Sequence, residues 1–182
     1  MMVSIGIIEI NNIAKGYLVC DNILKKTQIR MSMAQPICPG KFVMIFGGSV
    51  SAVKVACDYA RVNFSENIIY ISEFGNIDAR VFDALNGAAA GETNGALGII
   101  ETFSVSSCIL AADAALKAAS VEVVELRIAR GMGGKAYVAL SGTVAAVTAG
   151  VEAGAQNAIE NGVLNDTAVI ASPHEDLWQY LQ

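Results

Sequence analysis

Charge is scarce in this chain. Of 182 residues, 16% are Asp, Glu, Lys or Arg, against 54% hydrophobic. The 12 basic side chains are outnumbered by 17 acidic ones, for a formal net charge of −5, which leaves no basic footprint for a nucleic-acid backbone. Histidine occurs once, as His174, whose near neighbour Ser172 reads as a helix cap, and no paired acids stand out, so neither a catalytic triad nor an acid/base pair emerges. The four cysteines, Cys20, Cys38, Cys57 and Cys108, form no CxxC pair and no small-secreted-domain pattern, which speaks against a one-chain zinc site or a disulfide framework. The longest charge-free stretch, residues 136–151, is broken by Gly and Ser and falls short of the ~20 residues that a membrane-spanning helix needs. No basic residue precedes Lys15, unlike a signal peptide, so a cytoplasmic protein with reduced thiols is expected. What the chain has in excess is apolar surface, at a mean hydropathy of +0.50. That is more than a monomer's exterior tolerates, so part of it is expected in subunit contacts.

An internal repeat organises the rest. IGIIEI at residues 5–10 recurs as LGIIET at 97–102, an offset of 92 that also places Leu18 on Leu110, Asp21 on Asp113, Leu24 on Leu116 and Lys25 on Lys117. After a two-residue insertion the offset is 94, which sets Gly40-Lys41 on Gly134-Lys135, Gly48 on Gly142 and Ala52-Val53 on Ala146-Val147. Two copies of one unit are therefore predicted, residues 1–88 and 94–182, joined by the Gly/Ala-rich linker 86–95.

Each copy reads as βαββαβα. In the first, an apolar strand over residues 3–10 precedes a helix whose Ile13, Tyr17, Cys20 and Leu24 share one face. Ile29, Met31 and Met33 alternate with polar residues as a half-buried strand, and the turn PICPGK (36–41) leads into FVMIF. Ser49 caps a second helix with core face Val50, Val53, Cys57 and Ala60; a strand over 68–72 and a short helix over 77–85 complete the copy. The last helix of the second copy opens with SPHE, where Ser172 reads as N-cap, Pro173 as first helical residue and Glu175 as capping-box partner. The order implies an α/β (α+β) fold, an antiparallel sheet with helices packed on it.

Most polar and thiol positions have plain structural readings. Cys20, Cys57 and Cys108 lie on apolar helix faces, where a free Cys behaves as a small hydrophobe. Cys38 differs: it stands at a hairpin tip between Pro36 and Pro39, two of the chain's three prolines. It reads either as a thiol in a stiff turn or as a pre-positioned thiolate ligand, and one Cys builds a metal site only if several subunits share it. The matching turn, ARGMGGK (129–135), lacks the Ser/Thr and the following helix of a phosphate-binding loop, so a glycine hairpin approaching another chain or a pore is the better reading. Glu9 and Glu101 end the first strand of each copy, a duplication that suggests a repeated structural role. Lys25 and Lys117, each four residues after an Asp, form helical i,i+4 pairs or mark a shared contact surface.

Taken together, GIIE in both copies, D-x-x-x-K at Asp21–Lys25 and Asp113–Lys117, the GK hairpin turns, G-x-V-x-A-V at Gly48–Val53 and Gly142–Val147, and PHE at 173–175 resemble bacterial microcompartment shell proteins of the tandem-domain class. ICPGKF (37–42) with GMGGKAY (131–137) is similar to the iron–sulfur-binding branch found in propanediol-utilisation compartments. The resemblance implies a homotrimer that forms a flat pseudohexamer, with Ile37, Cys38, Pro39, Gly40, Gly131, Met132 and Gly133 lining a central pore. It further implies that Cys38 of three subunits holds one 4Fe–4S cluster for electron transfer across the shell, and that Lys25 and Lys117 lie at the tile edge. Other microcompartment shell proteins are the implied partners, with an encapsulated redox enzyme as a further one. The chain departs from the family's PRPH segment, having ASPH at 171–174 and FGNI at 74–77. The expected function is that of a non-enzymatic shell tile in the cytoplasm. The alternative is a trimeric ferredoxin-like small-molecule sensor using the 131–135 loop for an anion, and a third reading is an isolated redox enzyme subunit.

Overall fold

The computed structural model describes residues 3–89, 91, 94–128 and 131–181; linker positions 90, 92 and 93, turn positions 129 and 130, and both termini (1, 2 and 182) lie outside the described residues. The chain divides into two units, Met1–Ile77 and Asp78–Gln182. Both are built on the predicted antiparallel plan.

The first unit comprises β1 (Val3–Ile10), α1 (Ile13–Lys26), β2 (Arg30–Ile37), β3 (Lys41–Gly48), α2 (Val50–Phe64), a short 3₁₀ turn and β4 (Ile68–Ile77), with strand order β2-β3-β1-β4. Each helix starts where a short polar side chain replaces a missing intrahelical partner: Asn12 accepts from the Lys15 N–H and Ser49 from the Ala52 N–H. The sheet is apolar at its centre, and Ile8, Ile10, Phe42, Met44 and Phe46 meet α1 and α2 in one core with Val53, Ala56, Cys57 and Ala60. β1 needs Gly6 because it lies opposite Phe46, and a Cβ there would stand 2.3 Å from that ring.

Helix α1 corrects the expected face. Its buried residues are Gly16, Val19, Cys20 and Ile23, whereas Ile13, Tyr17 and Leu24 are exposed. The cause is Phe42: its ring presses so close to the helix that a Cβ at position 16 would fall 2.2 Å from Cγ, so only the glycine side of α1 can face the sheet. Val50, expected in the core of α2, is likewise exposed at the first turn.

The second unit begins earlier than the expected copy boundary. Helix α3 (Ala79–Leu85), assigned by the sequence reading to the first copy, packs on β6 and touches α4 within the second unit, burying Val81, Ala84 and Leu85. Then follow β5 (Ala96–Thr102), α4 (Val105–Ala118), β6 (Glu122–Ile128), β7 (Ala136–Gly142), α5 (Val144–Glu160), β8 (Leu164–Ile170) and a 3₁₀ helix (Glu175–Tyr180), in strand order β6-β7-β5-β8. Small residues bring α4 and α5 together, and a Cβ at Gly154 would lie 2.7 Å from the Ala111 carbonyl oxygen. Trp178 of the terminal helix closes a second cluster with Leu97, Val124 and Ala139. Its N-cap is His174, whose Nδ1 accepts from the Asp176 N–H at 3.3 Å, and not Ser172 as the SPHE pattern suggested. Likewise α3 starts two residues later than expected, at Ala79, capped by Asp78, which accepts from the Arg80 N–H.

Candidate functional site

The turn carrying Cys38 is a tight one. Ile37 pairs with Lys41 as the last rung of the β2–β3 ladder, and the Gly40 N–H closes the turn on the Ile37 carbonyl at 3.0 Å. Gly40 sits at φ 82°, and a Cβ there would meet nothing, so the glycine serves the backbone and not the packing. Ile37 is buried beneath the tip while Pro39 and Gly40 are exposed and Cys38 is half-buried between them. The other three thiols lie inside the units: burial pushes Cys57 up to about 12, and raises Cys20 and Cys108 as well. Cys38 is thus the one thiol outside a core.

The second hairpin turn is longer, and its described part, residues 131–135, carries three glycines at positive φ (74°, 62° and 91° for Gly131, Gly133 and Gly134). The Lys135 N–H returns to the Met132 carbonyl at 3.1 Å. A side chain at Gly131 or Gly133 would touch nothing within its unit.

The lysine that ends each turn is committed to the repeated glutamate. Lys41 Nζ lies 3.4 Å from Glu9 Oε2, and Lys135 Nζ lies 3.2 Å from Glu101 Oε1. Lys135 also stands over the Phe103 ring at 5.7 Å, and Asn165 donates to Glu101. This explains why the GIIE and GK motifs are duplicated together: each strand-end carboxylate is neutralised by the lysine that closes the adjacent hairpin. Spacing alone did not show the pairing, although two motifs recurring at shared offsets were a signal for it.

The D-x-x-x-K pairs form as helical i,i+4 ion pairs, with Lys25–Asp21 and Lys117–Asp113 both at 2.6 Å. Asp113 does more: its carboxylate also accepts the Asp78 N–H at 2.8 Å, at the start of α3. The Arg80 guanidinium, hydrogen-bonded to Asp78, holds that carboxyl below the usual carboxylate range and reaches the Val121 carbonyl at 3.2 Å.

A groove of about 490 Å³ runs between α3, the segment after it and β6, lined in part by Leu85, Gly91, Glu125, Arg127 and Leu181. Its carboxylate is spoken for, since Glu125 pairs with Arg127 and accepts from Tyr137, whose hydroxyl is pushed up to about 12 by burial and then by Glu125. Sequence reasoning had singled out none of these residues. Among the described residues no three His, Cys, Asp or Glu side chains gather as a metal site within one chain. No described helix is long and apolar enough to cross a membrane.

The two halves match the same family model, the BMC domain, at residues 4–75 and 96–173. This chain belongs to the BMC-domain family of microcompartment shell proteins. It is 37% identical over its whole length to the bacterial microcompartment shell protein PduT of Citrobacter freundii, covering 98% of that protein. Its fold is similar to the crystal structure of a microcompartments protein from Desulfitobacterium hafniense, at a TM-score of 0.94 and 40% identity over 98% of this chain and 99% of that one. A fused permuted hexameric shell protein from the RMM microcompartment is a more distant neighbour, with a TM-score of 0.63 and 25% identity over 87% and 84% of the two chains.

Proposed function

We propose that this BMC-domain chain is a structural shell tile in which three copies form a ring and the three Cys38 thiolates together hold one 4Fe–4S cluster at a central pore. The observation that carries this reading is the placement of Cys38: alone among the cysteines it lies at a hairpin tip, outside both cores, above a buried Ile37. The donor set fits the group across subunits only. One thiolate per chain is too few, three match a cubane with one iron open to another ligand, and converging thiolates repel unless a cation neutralises them. When bound, such a cluster supplies one-electron chemistry, and electron passage across the shell is the role proposed for it. The protein's own contribution is the turn, tied down at its base by Lys41 and Glu9. That lysine's charge is met by the Glu9 carboxylate, so it serves the turn.

The same pattern disfavours the sensor reading. An anion held by the 131–135 loop would look to Lys135, whose charge is already met by Glu101. Anaerobic purification with iron and sulfide analysis tests the cluster. Cys38→Ser is expected to give colourless protein that still forms trimers, and retention of wild-type iron and visible absorption by that variant refutes the assignment.

Other shell proteins are the proposed neighbours at the tile edge, with an enclosed redox enzyme as electron partner. Lys25 on α1 and Lys117 on α4, each ion-paired to an aspartate one turn before it, are the side chains proposed for that edge. The Lys25→Asp/Lys117→Asp double variant should remain trimeric yet fail to tile in sheets, and normal tiling by it would remove both lysines from the edge.

A further inference from the structure

The duplication shows which side chains the fold can do without. In the β2–β3 hairpin Met33 pairs with Ile45 and Gln35 with Val43; in the β6–β7 hairpin the same rungs join Glu125 to Ala139 and Arg127 to Tyr137. One copy therefore fills three equivalent positions with Met33, Gln35 and Val43, and the other with a carboxylate, a guanidinium and a phenol. The Glu125 side chain is 9% exposed. Replacing a buried ion pair by uncharged residues is often neutral or stabilising, so holding the sheet together does not account for this one.

Its surroundings do. Glu125 and Arg127 line the groove between α3, the segment after it and β6, whose volume of about 490 Å³ falls in the range of about 300–1,000 Å³ typical of small-molecule sites. The other walls are apolar or carry no side chain: Leu85 and Leu126 are buried, and Gly87 and Gly91 leave backbone at the surface of the groove. Arg127 pairs with one oxygen of Glu125, and the Tyr137 hydroxyl donates to the other. With its pKa pushed up to about 12, that phenol keeps its proton at neutral pH. The charges cancel, yet each carboxylate oxygen accepts two hydrogen bonds, so both retain a lone pair for a further donor.

We propose that this groove binds a small uncharged molecule whose hydroxyl or carboxamide head donates to Glu125 and accepts from Arg127, with its apolar body against Leu85 and Leu126. An anionic head would face a buried carboxylate, and a cationic one would find that carboxylate already paired, so either would give up its hydration without a matching partner. All lining residues belong to the second unit. The site draws on neither Cys38 nor a subunit contact, and it goes beyond the tile and cluster reading without depending on it.

Trp178 reads occupancy, because Leu181 both lines the groove and packs on the Trp178 cluster. Titrating the full chain with benzyl alcohol, benzamide, benzoate and benzylamine compares different heads on one ring. The two uncharged probes should change Trp178 fluorescence saturably, and bind about tenfold or more tightly than the two charged ones. Glu125→Met/Arg127→Gln/Tyr137→Phe removes the network as a whole, so no buried charge is orphaned, and it should weaken the uncharged probes by about tenfold or more. Ala89→Phe, on the segment after α3, leaves the polar network intact and fills the groove that Ala89 lines; it should weaken them equally and covers the case of a triple variant that does not fold. No saturable response in the wild type, equal binding of charged and uncharged probes, or unchanged binding by either folded variant overturns the proposal.

Discussion

Two glycines one turn apart on α5 should respond to the same substitution with opposite signs. A Cβ at Gly150 would stand 3.3 Å from Val121 Cγ1, the end of a side chain that can shift by a few tenths of an ångström. A Cβ at Gly154 would stand 2.6 Å from Ile100 Cδ1 and 2.7 Å from the Ala111 carbonyl oxygen, and the latter belongs to the backbone of α4 and cannot turn away. Replacing Gly by Ala inside a helix contributes about 1 kcal/mol through propensity and the unfolded state. Overpacking a close contact costs about 1–3 kcal/mol, and the upper half of that range applies where backbone must move. Gly150→Ala is therefore expected to gain up to about 1 kcal/mol, and Gly154→Ala to lose about 1–2 kcal/mol. For a unit of this size that separates the two midpoints by roughly 5–15 °C. The chain's one tryptophan, Trp178, packs against Leu97, Val124 and Ala139 of the same unit, so its fluorescence during thermal unfolding reads the relevant half at fixed protein concentration. If Gly154→Ala proves as stable as Gly150→Ala, the close α4–α5 approach is not what requires glycine.

Two further outcomes follow from the charged pairs. Lys41→Met leaves Glu9, nearly buried at 10% exposure, without its cation, and should cost about 1–3 kcal/mol in thermal unfolding; Glu9→Gln added to it should recover part of that loss. No recovery would show that the lysine acts through its stem alone. Asp78, with its pKa depressed by Arg80, contributes stability that is present above the ordinary carboxylate value of about 3.9 and lost as pH falls through its lower folded-state value. Asp78→Asn keeps a capping side chain, so it should be less stable than the wild type by up to about 1 kcal/mol at pH 7, with the gap closing at more acid pH. A gap that persists unchanged in acid unfolding curves would place the effect elsewhere.

Much of this protein was legible because its architecture is written in local periods and in duplication. IGIIEI and LGIIET announced two equivalent strands, polar residues before apolar stripes announced Ser49 as a cap, and two prolines around one thiol set Cys38 apart from Cys20, Cys57 and Cys108. These signals depend on neighbours within a few residues, so the chain by itself determined the βαββαβα order, the two sheets and the identity of the one cysteine outside the cores. Tertiary structure decided what required knowing a distant partner. Helix α1 has apolar residues on more than one side, and only the position of the Phe42 ring, which admits nothing larger than Gly16, selects the inner one. Helix α3 follows the first copy in sequence but lies with the second, because Asp113 and β6 supply the hydrogen bond and the apolar seat that its own ends lack. Glu9 and Glu101 were duplicated letters until the sheet brought Lys41 and Lys135 within 3.4 Å and 3.2 Å of them, since a charge pair across strands is a matter of register and carries no mark in spacing.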